Sequence, residues 1–176
     1  KNNGLITSNS ATISGIIGTA SGNVKVYNSE NNVDLVKVNY GSPSDACAGG
    51  IVGKTLATPT ISSKIGEVNG GNGFVYGSGY VSDSYRDIEI KNCSNKGSIN
   101  NSGHVGGIIG LAYGQTVTIS DCEVIGTEDN PIEFLQTSGD TAGIIGFTDA
   151  REINVENCDA EYLTISIRYI GTYGSV

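Results

Sequence analysis

Apolar residues fall along this chain in two short patterns that take turns. The first is one or two small residues, mostly glycine, then a pair of β-branched residues and another glycine. It occurs as Ser14-Gly15-Ile16-Ile17-Gly18, Gly49-Gly50-Ile51-Val52-Gly53, Gly106-Gly107-Ile108-Ile109-Gly110 and Ala142-Gly143-Ile144-Ile145-Gly146. A looser copy, Gly73-Phe74-Val75-Tyr76-Gly77, falls between the second and third. The other pattern alternates apolar and polar residues and ends in Asn or Asp followed by a small residue. Its copies are Val24-Lys25-Val26-Tyr27-Asn28-Ser29, Ile88-Glu89-Ile90-Lys91-Asn92-Cys93, Val117-Thr118-Ile119-Ser120-Asp121-Cys122 and Ile153-Asn154-Val155-Glu156-Asn157-Cys158. Thr60-Ile61-Ser62-Ser63-Lys64 is the weakest version. Alternation with period 2 predicts strands with one buried and one polar face.

The leading glycines stand at 15, 50, 73, 107 and 143, so the steps are 35, 23, 34 and 36 residues. A fixed internal grammar with loops of variable length is the signature of a solenoid whose turns carry insertions. Further alternating runs close the turns at Val33–Tyr40, Gly97–Ile99, Pro131–Leu135 and Tyr162–Ile167. No run has the 3.6-residue apolar period and the N-cap of a helix. The expected fold is therefore all-β: a parallel β-solenoid of about five to six irregular coils, in which like residues stack on like about 4.8 Å apart. In that arrangement Asn28, Asn92, Asp121 and Asn157 occupy one corner, because Asn and Asp tolerate the left-handed conformation of a sharp bend. The small residue that follows each of them turns inward.

Composition narrows the class. There are 26 glycines, 3 prolines and no Met or Trp among 176 residues, and the apolar set is dominated by β-branched residues and Tyr. That is a strand composition. The net charge is −8, and the 10 Lys and Arg do not cluster, which leaves no electrostatic footprint for nucleic acid or an anionic membrane surface. No apolar run reaches the roughly 20 residues that span a bilayer as a helix. Residues 1–176 read as one solenoid domain, an excerpt or processed part of a longer extracellular protein. Cys93, Cys122 and Cys158 share one repeat position, with Ser29 in the first copy. Stacked interior thiols explain this better than two disulfides. A zinc site lacks a Cys-x-x-Cys motif and has only His104 to draw on.

Gly-Ile-Ile-Gly followed by Ile-x-Ile-x-Asn-Cys resembles the GLUG-type repeats of bacterial surface proteins, named for Gly-Leu-x-Gly. The resemblance covers about Ser14 to Ile167, with Ile in place of the Leu. It implies secretion to the cell surface and a right-handed parallel β-helix. The motif is a scaffold signature and carries no catalytic residues.

Little else in the chain points to chemistry. His104 precedes a glycine pair and reads as a turn residue, and there is no nucleophile elbow or phosphate-binding loop. The enzyme alternative is a polysaccharide lyase or hydrolase using Asp83, Arg86 and Asp87, or Asp140, Asp149 and Arg151. Such chemistry requires two acids at a set separation, or carboxylates around calcium with a nearby base. No motif supplies that calcium cage, so no cofactor or metal is expected. Function on a rigid scaffold lives in its loops. Among the insertions at 41–47, 69–87 and 126–131, the candidate binding loop is Tyr80, Asp83, Tyr85, Arg86 and Asp87. The sequence therefore suggests a non-catalytic adhesion or scaffold module for an extracellular glycan or protein. The other partner it suggests is a copy of the same chain stacked end to end in a filament or stalk, since neither end has a polar cap.

Overall fold

The computed structural model describes residues 4–37, 46–56, 87–101, 103–136 and 139–167, and among them every regular element is a strand. The first circuit of the chain holds β1 (Ile6–Ser8), β2 (Thr12–Ser14), β3 (Ile17–Ser21), β4 (Val24–Tyr27) and β5 (Glu30–Asn31). The second holds β6 (Leu35–Lys37), β7 (Cys47–Gly49), β8 (Val52–Leu56), β9 (Ile88–Lys91) and β10 (Ser94–Asn95). The third holds β11 (Ile99–Asn101), β12 (His104–Gly106), β13 (Ile109–Ser120) and β14 (Glu123–Ile125). The fourth holds β15 (Ile132–Gln136), β16 (Thr141–Ala142), β17 (Ile145–Glu156) and β18 (Asp159–Glu161), and β19 (Leu163–Ile167) begins a fifth.

Each strand pairs in parallel with its counterpart one circuit later, so the chain builds four faces. One is β1-β6-β11-β15-β19, another β2-β7-β12-β16, and a third β5-β10-β14-β18. The fourth face stacks β3 and β4, then β8 and β9, then the 12-residue β13 and β17. Registers join like with like: Val24 faces Ile88, Ile88 faces Val117, and Val117 faces Ile153.

That register sets which glycine copies are neighbours. Gly50 donates its N–H to Gly106, so the second and third glycine pairs belong to adjacent circuits. β8 and β9 pair with the two halves of the single strand β13. The stretch 57–86 joins β8 to β9 in sequence. The looser glycine copy at 73–77 and the weak strand at 60–64 lie in it, outside the described residues. Among the described residues there are four circuits and the start of a fifth, against an expected five to six.

The glycine pattern has a packing cause. A Cβ on Gly50 would land on the Gly107 carbonyl and on the side chain of Asn95, and one on Gly107 would land on the Gly143 carbonyl and on Val124. Gly15 meets Asn31 and Gly143 meets Ala160 in the same way. The column Gly15-Gly50-Gly107-Gly143 thus lies directly across the interior from the column Asn31-Asn95-Val124-Ala160. Only a residue without a side chain lets the two walls come this close.

Between these walls the core is a set of aliphatic stacks. Ile90, Ile99, Ile108, Ile109, Ile119 and Phe134 have no exposed surface. The residues stacked on Ile119, Phe134 and Val117 at the far end are open: Val155 is 45% exposed, Ile165 is 42% and Ile153 is 45%. His104 stands in strand β12 and is not the turn residue the sequence suggested.

Candidate functional site: an outer corner

The alternation in β4 buries Val24 and Val26 and turns Lys25 and Tyr27 outward. β9 presents Glu89 and Lys91 beside them in register. The chain then bends at Asn28, Asn92, Asp121 and Asn157, whose φ angles are 51°, 53°, 54° and 51°. Four nearly identical left-handed corners place four short polar side chains in a row parallel to the stacking axis. Asn92 donates its amide to Asn28 Oδ1 at 2.6 Å, and Asn157 donates to Asp121 Oδ1 at 3.2 Å.

A shallow groove of about 410 Å³ opens here, lined by Tyr27, Asn28, Lys91, Asn92 and Asp121. Tyr27 donates its hydroxyl to Glu89 Oε2 at 2.7 Å, and the Lys25 ammonium is 3.3 Å from the same oxygen. Lys91 pairs with Asp121 at 3.5 Å. The hydrogen bond from Tyr27, followed by that from Lys25, holds Glu89 below the usual carboxylate range. The same bond raises the Tyr27 phenol, and the hydrogen bond to Glu89 raises Lys25. Two cations and two carboxylates therefore sit in this corner as two ion pairs with no net charge.

Just inside the corner lies the expected thiol column. Cys93, Cys122 and Cys158 are free, as is Cys47. Each column sulfur donates to the carbonyl two residues back: Cys93 to Lys91 at 3.3 Å, Cys122 to Ser120 at 3.2 Å and Cys158 to Glu156 at 3.3 Å. Ser29 makes the same bond to the Tyr27 carbonyl at 3.1 Å. A hydroxyl thus has a ready partner in this column, and Cys122→Ser is expected to cost only about 1 kcal/mol. The hydrogen bond shared with Cys93, then burial, pushes the Cys122 thiol well above its ordinary range. Cys93 and Cys122 are buried, but Cys158 in the last circuit is partly open. A thiol reagent followed by mass spectrometry should modify Cys158 in the native protein and leave Cys93 and Cys122 untouched until unfolding. Equal labelling of all three would overturn the stack.

Of the candidate binding loop, Tyr80, Asp83, Tyr85 and Arg86 lie outside the described residues. Asp87 is exposed, accepts from Val24 N through its carbonyl at 3.0 Å and donates its N–H to Asn23 Oδ1 at 3.2 Å. Asp140 is engaged with His104: its N–H donates to Nδ1 at 3.2 Å and its Oδ2 lies 3.2 Å from the same nitrogen. Asp149 and Arg151 are exposed on β17, on a different face. Asp140 is thus not brought into a cluster with these two. Among the described residues no three His, Cys, Asp or Glu side chains converge as metal ligands.

The sequence did not single out the Tyr27 corner. Its signal was one aromatic in a polar column, since the positions stacked on Tyr27 are Lys91, Ser120 and Glu156. Comparison of the chain with protein-family models, curated proteins and solved structures found no match.

Proposed function

We infer that this chain is a right-handed parallel β-helix serving as a non-catalytic scaffold and adhesion module at a bacterial cell surface, where it presents polar outer faces to a glycan or protein. The observation that carries this is the use of the polar groups. Lys25–Glu89, Lys91–Asp121 and Lys96–Glu30 pair between neighbouring circuits, and Asn28–Asn92 and Asp121–Asn157 bond along the same stack, so these polar groups form ladders and ion pairs that hold shape and not an acid–base cluster. The right-handed winding follows from the strong preference of parallel strand crossovers for that hand. The likeness of the repeats to GLUG-type repeats supports an extracellular setting, as does the acidic, glycine-rich composition.

Incubation with a panel of polysaccharides is expected to release neither new reducing ends nor unsaturated products. Robust turnover lost on changing Asp83 or Asp87 would establish the enzyme reading instead. A self-stacking stalk is the second reading carried by the repeat pattern, and the interior-facing Ile153 and Val155 of β17 and Ile165 of β19 are half covered. Exposed apolar strand edges recruit further strands. Sizing at rising concentration separates the two roles.

A further inference from the structure

We propose that the corner groove at Tyr27 binds a neutral polysaccharide chain lying along the stacking axis. The proposal rests on the adhesion reading and names the ligand class and the residues. Tyr27 is 43% exposed, and its hydroxyl is anchored on Glu89, so the ring is held at the groove in one orientation before any ligand arrives. A fixed aromatic face costs little conformational entropy to use and suits the apolar face of a sugar ring. Beside it the corner row repeats once per circuit. Asn92 has one amide proton on Asn28 Oδ1, which leaves Asn28 Nδ2 and Asn92 Oδ1 to the solvent side as a donor and an acceptor. Sugar hydroxyls are both donors and acceptors, and can meet such a row at successive residues of a chain.

Charge decides between ligand classes. Lys25 and Lys91 are each matched by Glu89 and Asp121, and the whole chain carries −8, so a polyanion gains nothing from approaching this corner. A protein partner needs a central apolar patch in an interface of about 800 Å² per side. Tyr27 is the only exposed large apolar side chain lining this groove among the described residues. A neutral glycan needs only the ring and the hydrogen-bonding row.

The test is affinity electrophoresis of the full chain in gels containing a soluble β-glucan, xylan, galactomannan or α-mannan, with heparin and polygalacturonate as anionic probes. At least one neutral polymer is expected to retard the protein. Retardation should be unchanged between about 0.05 and 0.5 M salt, since no net charge is screened. Tyr27→Ala should weaken binding about tenfold, equivalent to about 1.4 kcal/mol, while Tyr27→Phe keeps most of it. Both variants should unfold like the parent, because the side chain lies outside the core. Retardation by the anionic polymers alone, or by none, overturns the proposal. Salt-insensitive retardation that Tyr27→Ala leaves intact also overturns this site, yet leaves the adhesion reading standing. Cleavage of the polymer would instead remove the non-catalytic reading.

Discussion

Gly107→Ala is expected to destabilise the fold by more than about 3 kcal/mol, whereas Gly18→Ala should stabilise it by about 0.5–1 kcal/mol. The two glycines sit three motif positions apart in the same grammar, yet their surroundings differ completely. A Cβ on Gly107 would overlap the Gly143 carbonyl and the Val124 side chain, and so cannot be accommodated by rotating a flexible group. Relief requires the β12–β13 turn to move away from the next circuit, which breaks the Gly107 N to Gly143 O bond of 3.0 Å. Overpacking alone costs about 1–3 kcal/mol, and a broken backbone bond at a buried site adds to it. At Gly18 a Cβ meets nothing within 4 Å, and its φ lies outside the left-handed range. There the added methyl only restricts the unfolded chain. Urea unfolding of the two variants beside the parent gives both signs in one experiment. A small effect at Gly107 would mean that the two walls are not in contact.

The repeat grammar made the strands and corners readable because solenoid packing is local in register: each apolar position sees the same position one circuit away. Val24, Ile88, Val117 and Ile153 announce their stack by alternation alone, and Asn28, Asn92, Asp121 and Asn157 announce the bend. The looser copy at Gly73 lies outside the described residues. What alternation alone did not show is that β8 and β9 both pair with the single strand β13, which makes the Gly50 and Gly107 copies neighbours. The corner groove was hidden because its members come from three copies of one motif, and no single copy contains more than two or three of them. The half-open state of Cys158 was equally hidden, since burial depends on whether a further circuit covers the residue and not on its place in the motif.

Asn31 and Asn95 were the least legible residues, polar letters in a polar sequence that turn out to have no exposed surface. Asn31 donates to Asn95 Oδ1 at 2.8 Å and to the Val33 carbonyl at 3.0 Å. Asn95 in turn donates to the Gly97 carbonyl at 3.0 Å and accepts the Gly97 N–H at 3.3 Å, clamping the turn between β10 and β11. In the next circuit the same column position is Val124, so an apolar residue fits the wall itself. Asn95→Val should nevertheless cost about 2–4 kcal/mol, because it leaves the Gly97 N–H, the Gly97 carbonyl and one bond of Asn31 without partners inside the protein. If the cost came only from breaking the amide pair, Asn31→Val with Asn95→Val would restore stability, as replacing both partners of a buried bond often does. The double variant is expected to stay at least about 2 kcal/mol below the parent, since valine cannot satisfy Gly97. A double-mutant cycle read by urea unfolding separates the two contributions. Full recovery in the double variant would show that the ladder, and not the turn clamp, is what Asn95 contributes.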